Sequence, residues 1–316
     1  MNKKTLLVGL SVLAVMFVGV AVLIAILYGG DGVKDGKPQV RKSEALFCAV
    51  PSNAVAVARF ADVKTASEKV LSLDVPPAKG RGGFGKAVAD AVAAGRLPEL
   101  SANALAVSLQ YSKNLVPLYV FDAGRAGDTE NDAEVNLIAT LASEAGLSFN
   151  DCDCSKILSV TQELRGRRLL LVSPADNVVN SSLRHLNDGV SIYDSNGFAA
   201  AASGVSASSS LFISVSAADQ ILPSVLSPSI RKHYKFLTSF SEWIGAELSF
   251  GEKGVELYGK AFSARQTDFA NVLVSQKPAS CNVFSIAPQT HFGLYRFRWI
   301  RIPDMLRLTM NGSTKG

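Results

Sequence analysis

The chain has 316 residues, 48% of them hydrophobic and 19% charged, and its 32 Lys and Arg against 27 Asp and Glu give a net charge of +5 with a pI near 9.0. That apolar share is too high for a disordered tail. The excess of cations is too small and too scattered for the dense basic patch that nucleic-acid binding needs, so no nucleic-acid partner is expected.

Residues 5–28 (TLLVGLSVLAVMFVGVAVLIAILY) are 24 consecutive uncharged positions behind Lys3 and Lys4. As a helix at ~1.5 Å per residue the run is roughly 36 Å long, enough to cross a hydrocarbon core of ~30 Å with some tilt. A cleaved secretory signal has an apolar core of about 7–15 residues and a small-x-small site. This run is longer, and Ile26, Leu27 and Tyr28 at its exit form no such site. The sequence therefore predicts an uncleaved signal anchor that meets the lipid bilayer through residues 5–28. Its flanks pull two ways. Lys34, Lys37, Arg41 and Lys42 follow the span and count towards the cytoplasm, whereas a short tail before a large domain is the layout of a domain exported on a leash. The expectation is a cytoplasmic tail at 1–4, a single pass through the inner membrane, a flexible charged leash at 29–46 and an extracytoplasmic (periplasmic) domain over 47–284.

Within that domain, 53–60 (NAVAVARF) reads as a strand, and 62–73 as a helix with Asp62 at its N-cap and Val63, Ala66, Val70 and Leu71 on one face. A Pro- and Gly-rich loop at 74–86 leads to an Ala-rich helix at 87–94. Apolar runs at 104–110 and 115–122 flank a polar turn and predict a hairpin. A helix at 132–145 stops at Gly146. A second hairpin is expected from 156–163 and 169–172, then a helix at 175–186, strands at 198–202 and 211–215, and helices at 217–226 and 229–240. Strands at 246–250 and 255–262 flank Gly251-Glu-Lys-Gly254 as a third hairpin. The fold class is α+β: a transmembrane helix followed by mainly antiparallel sheets with packed helices. The opening order of strand, helix, hairpin, helix and strand suggests ferredoxin-like split βαβ units.

Residues 49–60 (AVPSNAVAVARF) and 286–297 (IAPQTHFGLYRF) superpose without gaps, sharing Pro, Arg and Phe and the apolar alternation between them. They predict a second copy of the domain beginning near 285 and continuing to 316. Such a strand and helix bury no core of their own. Together with the anchor, the segment VPSNAVAVARFADV and the hairpin WIGAELSFGEKGVELYGKAF, the chain resembles a family of uncharacterised, signal-anchored bacterial envelope proteins carrying a domain of unknown function. The resemblance implies two similar halves in a longer protein, and no catalytic residues to carry over.

The cysteines are Cys48, Cys152, Cys154 and Cys281. Outside the cytoplasm an even number permits disulfides, in three connectivities. A bridge from Cys152 or Cys154 to Cys48 or Cys281 closes more easily than the tiny ring between Cys152 and Cys154. Asp151-Cys152-Asp153-Cys154 also offers two thiolates and a carboxylate to a soft metal, but falls short of a four-ligand zinc set. Gly80-Arg-Gly-Gly-Phe-Gly85-Lys86-Ala87 narrowly misses a phosphate-binding loop, because Ala87 stands where the Ser or Thr belongs. His185, His233 and His291 are widely spaced and show no metal-ligand pattern, and no Gly-x-Ser-x-Gly elbow is present. Arg59 and Arg296, the echoed pair, are candidates for an anionic ligand or else lie on an exposed strand face.

These features predict a non-enzymatic, single-pass envelope protein whose extracytoplasmic domain binds a protein or ligand, with an unknown envelope protein as partner, no cofactor and no metal. The alternative is a metal- or redox-dependent factor or a hydrolase, with a site assembled from Cys152, Cys154 and distant His.

Overall fold

The structure, a computed structural model, describes residues 45–71, 83–112, 114–127, 131–160, 164–195, 197–205, 208–217, 241–251 and 254–262. The anchor expected at 5–28, most of the expected leash, the helices expected at 217–226 (beyond Ala217) and 229–240, and the second copy expected at 285–316 lie outside them. Among the described residues no helix is long and apolar enough to cross a membrane.

Eight strands build one sheet: β1 (Ala54–Phe60), β2 (Leu105–Ser112), β3 (Asn114–Arg125), β4 (Ser148–Asp153), β5 (Arg167–Ser173), β6 (Ser209–Ser214), β7 (Trp243–Gly251) and β8 (Gly254–Phe262). Their order is β4-β5-β3-β2-β1-β6-β7-β8, and every neighbouring pair is antiparallel. The fold is therefore α+β with one antiparallel sheet. It corrects the split βαβ expectation, in which the strand before the first helix and the strand after it run parallel with another strand between them. Here β1 and β2 are direct antiparallel neighbours, with Phe60 opposite Leu105.

Six helices complete the described part: α1 (Val63–Ala66), continued by a wider π turn over Ser67–Leu71, then α2 (Phe84–Ala93), α3 (Pro98–Ser101), α4 (Asp132–Glu144), α5 (Asp176–Asp188) and α6 (Phe198–Ser203). They cover both faces of the sheet. On one face Phe60, Leu105, Phe121, Leu170 and Val172 pack against Val63 and Ala66 of α1, Phe84 and Val88 of α2, Leu100 of α3 and Ile138 of α4. On the other, Val57, Leu118, Val120, Leu169, Leu171 and Phe212 pack against Val178 and Leu186 of α5, Phe198 of α6 and the 3-10 turn Ala45–Ala49. Antiparallel sheets commonly leave one face wet and alternate in polarity. This one buries both, which is why 169–172 reads Leu-Leu-Leu-Val.

Local chemistry explains most of the boundaries. Asp62 caps α1 as expected, its Oδ1 accepting from Thr65 N–H at 2.6 Å. Gly189 ends α5 in the left-handed region at φ +69, where Val190 N–H reaches back to His185 O at 2.9 Å. Four expectations are corrected. The strand expected at 156–163 is displaced towards the N-terminus, to Ser148–Asp153, and residues 154–160 form a 3-10 turn and bends. Residues 198–202 form helix α6, because four consecutive Ala and Ser behind Phe198 carry no β-branched side chain and Gly197 opens the turn. The helix at 87–94 begins three residues earlier, at Phe84, whose ring is buried against Tyr119 and Phe121. Residues 45 and 46, expected in the leash, belong to the 3-10 turn Ala45–Ala49, where Leu46 and Phe47 are already core.

Strand β8 is fitted to β7 through a bare backbone. A Cβ added to Gly259 would stand 2.5 Å from Gly245 O and 2.7 Å from Ala246 Cβ. Neither neighbour is the movable end of a long side chain, so the strands themselves must part. Gly259→Ala is expected to destabilise the domain by about 1–3 kcal/mol, the range for overpacking. A urea midpoint that does not move would show that β7 and β8 are not seated this closely.

Candidate functional site

Polar chemistry concentrates where β4, β5 and β3 run side by side. The register sets Cys152 opposite Leu169 and Leu169 opposite Asp122, so a thiol and a carboxylate flank a leucine on one face of the sheet. Next along β5, Arg167 pairs with Asp122. Arg168 points to the other side and grips Asp151 with two bonds, Nε to Oδ1 at 2.9 Å and Nη2 to Oδ2 at 2.6 Å, while its Nη1 reaches Asp132 Oδ1 on α4 at 2.5 Å. This fork ties β4 to the start of α4. Its carboxylate partners, Asp151 first, hold the guanidinium above its ordinary pKa.

Cys152 is the penultimate residue of β4, and Cys154 opens the 3-10 turn Cys154–Lys156. Both are buried, at 6% and 0% exposure, in the apolar cluster that also holds Cys48. Among the described residues no disulfide joins these three; Cys281 lies outside. Cys154 Sγ lies 4.0 Å from Cys152 O. The two neighbouring thiols divide in acidity. A bond donated by Cys154 lowers Cys152, against burial and the charges of Asp151 and Asp153. Cys154 is pushed far up by the same bond, by burial and by the charges of Cys152, Asp153 and Asp122. Asp153 between them is held low by Ser155, whose N–H and Oγ donate to Oδ1 at 2.9 and 2.6 Å, and it pairs with Lys156 at 3.2 Å.

Among the described residues no histidine joins this pair. His185 stands on α5 with its Nδ1 3.4 Å from Ser181 Oγ, and His233 and His291 lie outside the described residues. Among the described residues no three His, Cys, Asp or Glu come together to hold a metal ion. A tetrahedral zinc set is therefore not assembled there. Arg59 is half-buried on β1 and its Nη1 donates to Ser208 O at 3.2 Å, tying β1 to the approach to β6; Arg296 lies outside. Of the glycine-rich segment, Gly83 caps α2 and Lys86 and Ala87 lie within the helix, while 80–82 lie outside.

Asp122 and Arg167 are part of this region, yet nothing local marks them. Asp122 is the polar end of an apolar run, and Arg167 sits among several arginines. The signal is the register of β3 on β5, which local pattern does not supply.

Compared with protein-family models, with curated proteins and with solved structures, the chain matches none.

Proposed function

We propose that this chain is a single-pass, membrane-anchored envelope protein whose extracytoplasmic α+β domain binds a protein or ligand, within the family of signal-anchored envelope proteins that its sequence resembles. The observation that carries this reading is the uncharged run at 5–28, followed after a charged segment by a domain in which Leu46 is already buried. A charge-free stretch of that length is rare except where lipid surrounds it. The described buried polar groups serve the fold itself. Buried Ser182 donates to Ala49 O, Ser173 Oγ donates to Pro117 O at 2.8 Å, and the carboxylate of Glu134 accepts two backbone N–H groups. Each of these bonds joins separate elements of the fold.

Expressed in a bacterium, the chain is expected to stay with the membrane after carbonate washing and to be digested by protease added outside spheroplasts. Recovery in the soluble fraction overturns the anchor, and protection from external protease overturns the orientation. Crosslinking in detergent extract is expected to trap a specific partner. Its consistent absence counts against the partner reading while leaving the anchor standing.

A further inference from the structure

The strand order is symmetric about one seam. β1 and β6 lie side by side and antiparallel there, with Val57 opposite Phe212. Outward from β1 run β2 and β3, and outward from β6 run β7 and β8. Each trio is also laid down in the same way along the chain. The strand at the seam comes first, a long connection follows, and a tight hairpin then places its inner strand before its outer one. The two hairpin turns are alike in size, Ser112 facing Asn114 across one and Gly251 facing Gly254 across the other. A half-turn about an axis through the seam therefore brings β1–β3 and β6–β8 into correspondence.

In the first half the sheet continues beyond β3. After α4 the chain runs along β4, turns and returns as β5. It is β5, the later strand, that pairs with β3, Val172 lying opposite Tyr119, while β4 takes the place beyond it, Phe149 opposite Val172. Pro174 and Asp176 then stand at the start of α5. Residues 263–316 carry the same succession of signals. Phe269, Val272 and Leu273, behind Asp268, are spaced as one face of a helix. Residues 281–286 (CNVFSI) and 291–302 (HFGLYRFRWIRI) have strand composition on either side of Ala287-Pro-Gln-Thr290. Pro303 and Asp304 then lead a short apolar run with Leu306 and Met310 at helical spacing, followed by Asn311 and Gly312.

The surface that such a segment fits is the outer edge of β8, the counterpart of the β3 edge that β5 covers. Alternate backbone groups of β8 point away from β7 and template a further strand. Its side chains fit an extension as well. Leu257 and Ala261 flank a cluster of only Val215, Ile244 and Ala246, and Tyr258 on the opposite face is 55% exposed. A lone strand and helix bury no core of their own, but laid on β8 they enlarge one that exists.

We propose that residues 291–302 dock antiparallel on the outer edge of β8, as β5 docks on β3, with 281–286 beyond them as β4 lies beyond β5. The strand expected at 286–297 is then the counterpart of β5 rather than of β1. The edge is taken by the chain itself, so a partner of the proposed binding role docks elsewhere.

The test uses the full chain in detergent. Tyr258→benzoylphenylalanine, photolysed, is expected to crosslink within its own chain to residues 281–302, mapped by mass spectrometry of the peptides. In hydrogen exchange resolved to single residues, the amides of 254–262 that point away from β7 are expected to exchange at least about 100-fold more slowly than free peptide amides. Phe297→Pro, which is incompatible with an inner strand, should remove that protection and leave β1–β3 protected. Crosslinks to a second chain, or a map without 281–302, overturn the proposal. So do outward β8 amides that exchange as fast as free peptide, or that Phe297→Pro leaves protected. The photocrosslink decides even where the proline variant does not fold.

Discussion

Phe198→Ala is expected to destabilise the domain by about 3–5 kcal/mol, the range for deleting a buried phenylalanine ring. Its side chain is fully buried, and the ring meets four others edge to face: Phe47 at 5.3 Å, Tyr193 at 5.5 Å, Phe212 at 5.3 Å and Trp243 at 4.9 Å between centroids. These rings come from the 3-10 turn Ala45–Ala49, the turn Ile192–Asp194, β6 and β7, so α6 carries a contact that joins the first described turn to the β7–β8 hairpin. Each aromatic pair adds about 0.5–1.5 kcal/mol beyond area burial, which places this site at the upper end of the range. Phe198→Leu keeps much of the volume and loses the edge-to-face geometry, so a smaller loss is expected. Urea unfolding followed by tryptophan fluorescence measures both, since Trp243 reports on this cluster. Equal midpoints for wild type and Phe198→Ala would show that the cluster does not hold the fold.

Glu134→Ala is expected to cost about 2–4 kcal/mol through a different mechanism. Glu134 lies in the first turn of α4 with 7% exposure, and its two oxygens accept from Glu99 N–H at 3.0 Å and Leu100 N–H at 2.7 Å. Those amides are orphan donors at the start of α3, which has no side-chain cap of its own. Removing the carboxylate strands two backbone donors, one of them buried, at about 1–3 kcal/mol for each group left unsatisfied. Glu134→Gln keeps one carbonyl oxygen but turns an NH2 towards the second amide, and should lie between wild type and alanine. Glu144→Gln, on the exposed end of the same helix, is expected to shift stability by no more than about 0.5 kcal/mol. If Glu134→Ala unfolds at the same urea concentration as this control, Glu134 does not cap α3.

The pattern of this chain was legible wherever one short stretch decides the outcome. The hairpins at β2–β3 and β7–β8, the Asp62 cap and helices α4 and α5 all follow from turn residues, side-chain oxygens and apolar spacing within about a dozen positions. The failures share a cause. Helix α6 is six residues long, and its Ala- and Ser-rich stretch lacks a helical stripe that could be told from a buried strand. Strand β4 carries Asp151 and Asp153, residues that normally mark a loop; pairing with β5 and the Arg168 fork overrides that preference. The place of β1 was illegible for the same reason, since nothing in 54–60 says that its second neighbour is β6. The candidate site divides likewise. The Cys-x-Cys pair is visible in the letters, while Asp122 and Arg167 join it only through the register.

The central place of β1 also bears on how the chain is made. One edge of β1 is met by β2, the next strand in the sequence, but the other waits for β6, which starts 97 residues beyond the end of β2 at Ser112. At about 5–20 residues per second, synthesis of that stretch takes roughly 5–20 s, far longer than the microseconds in which a hairpin closes. During that interval β1 presents an apolar edge with open backbone donors and acceptors, a template on which another nascent chain can add a strand. The nascent chain thus passes through an adhesive stage that ends when Ser209–Ser214 docks. Ribosome-bound chains stopped short of 209 should engage holdase chaperones or aggregate, and chains extended past 214 should be released from that hazard.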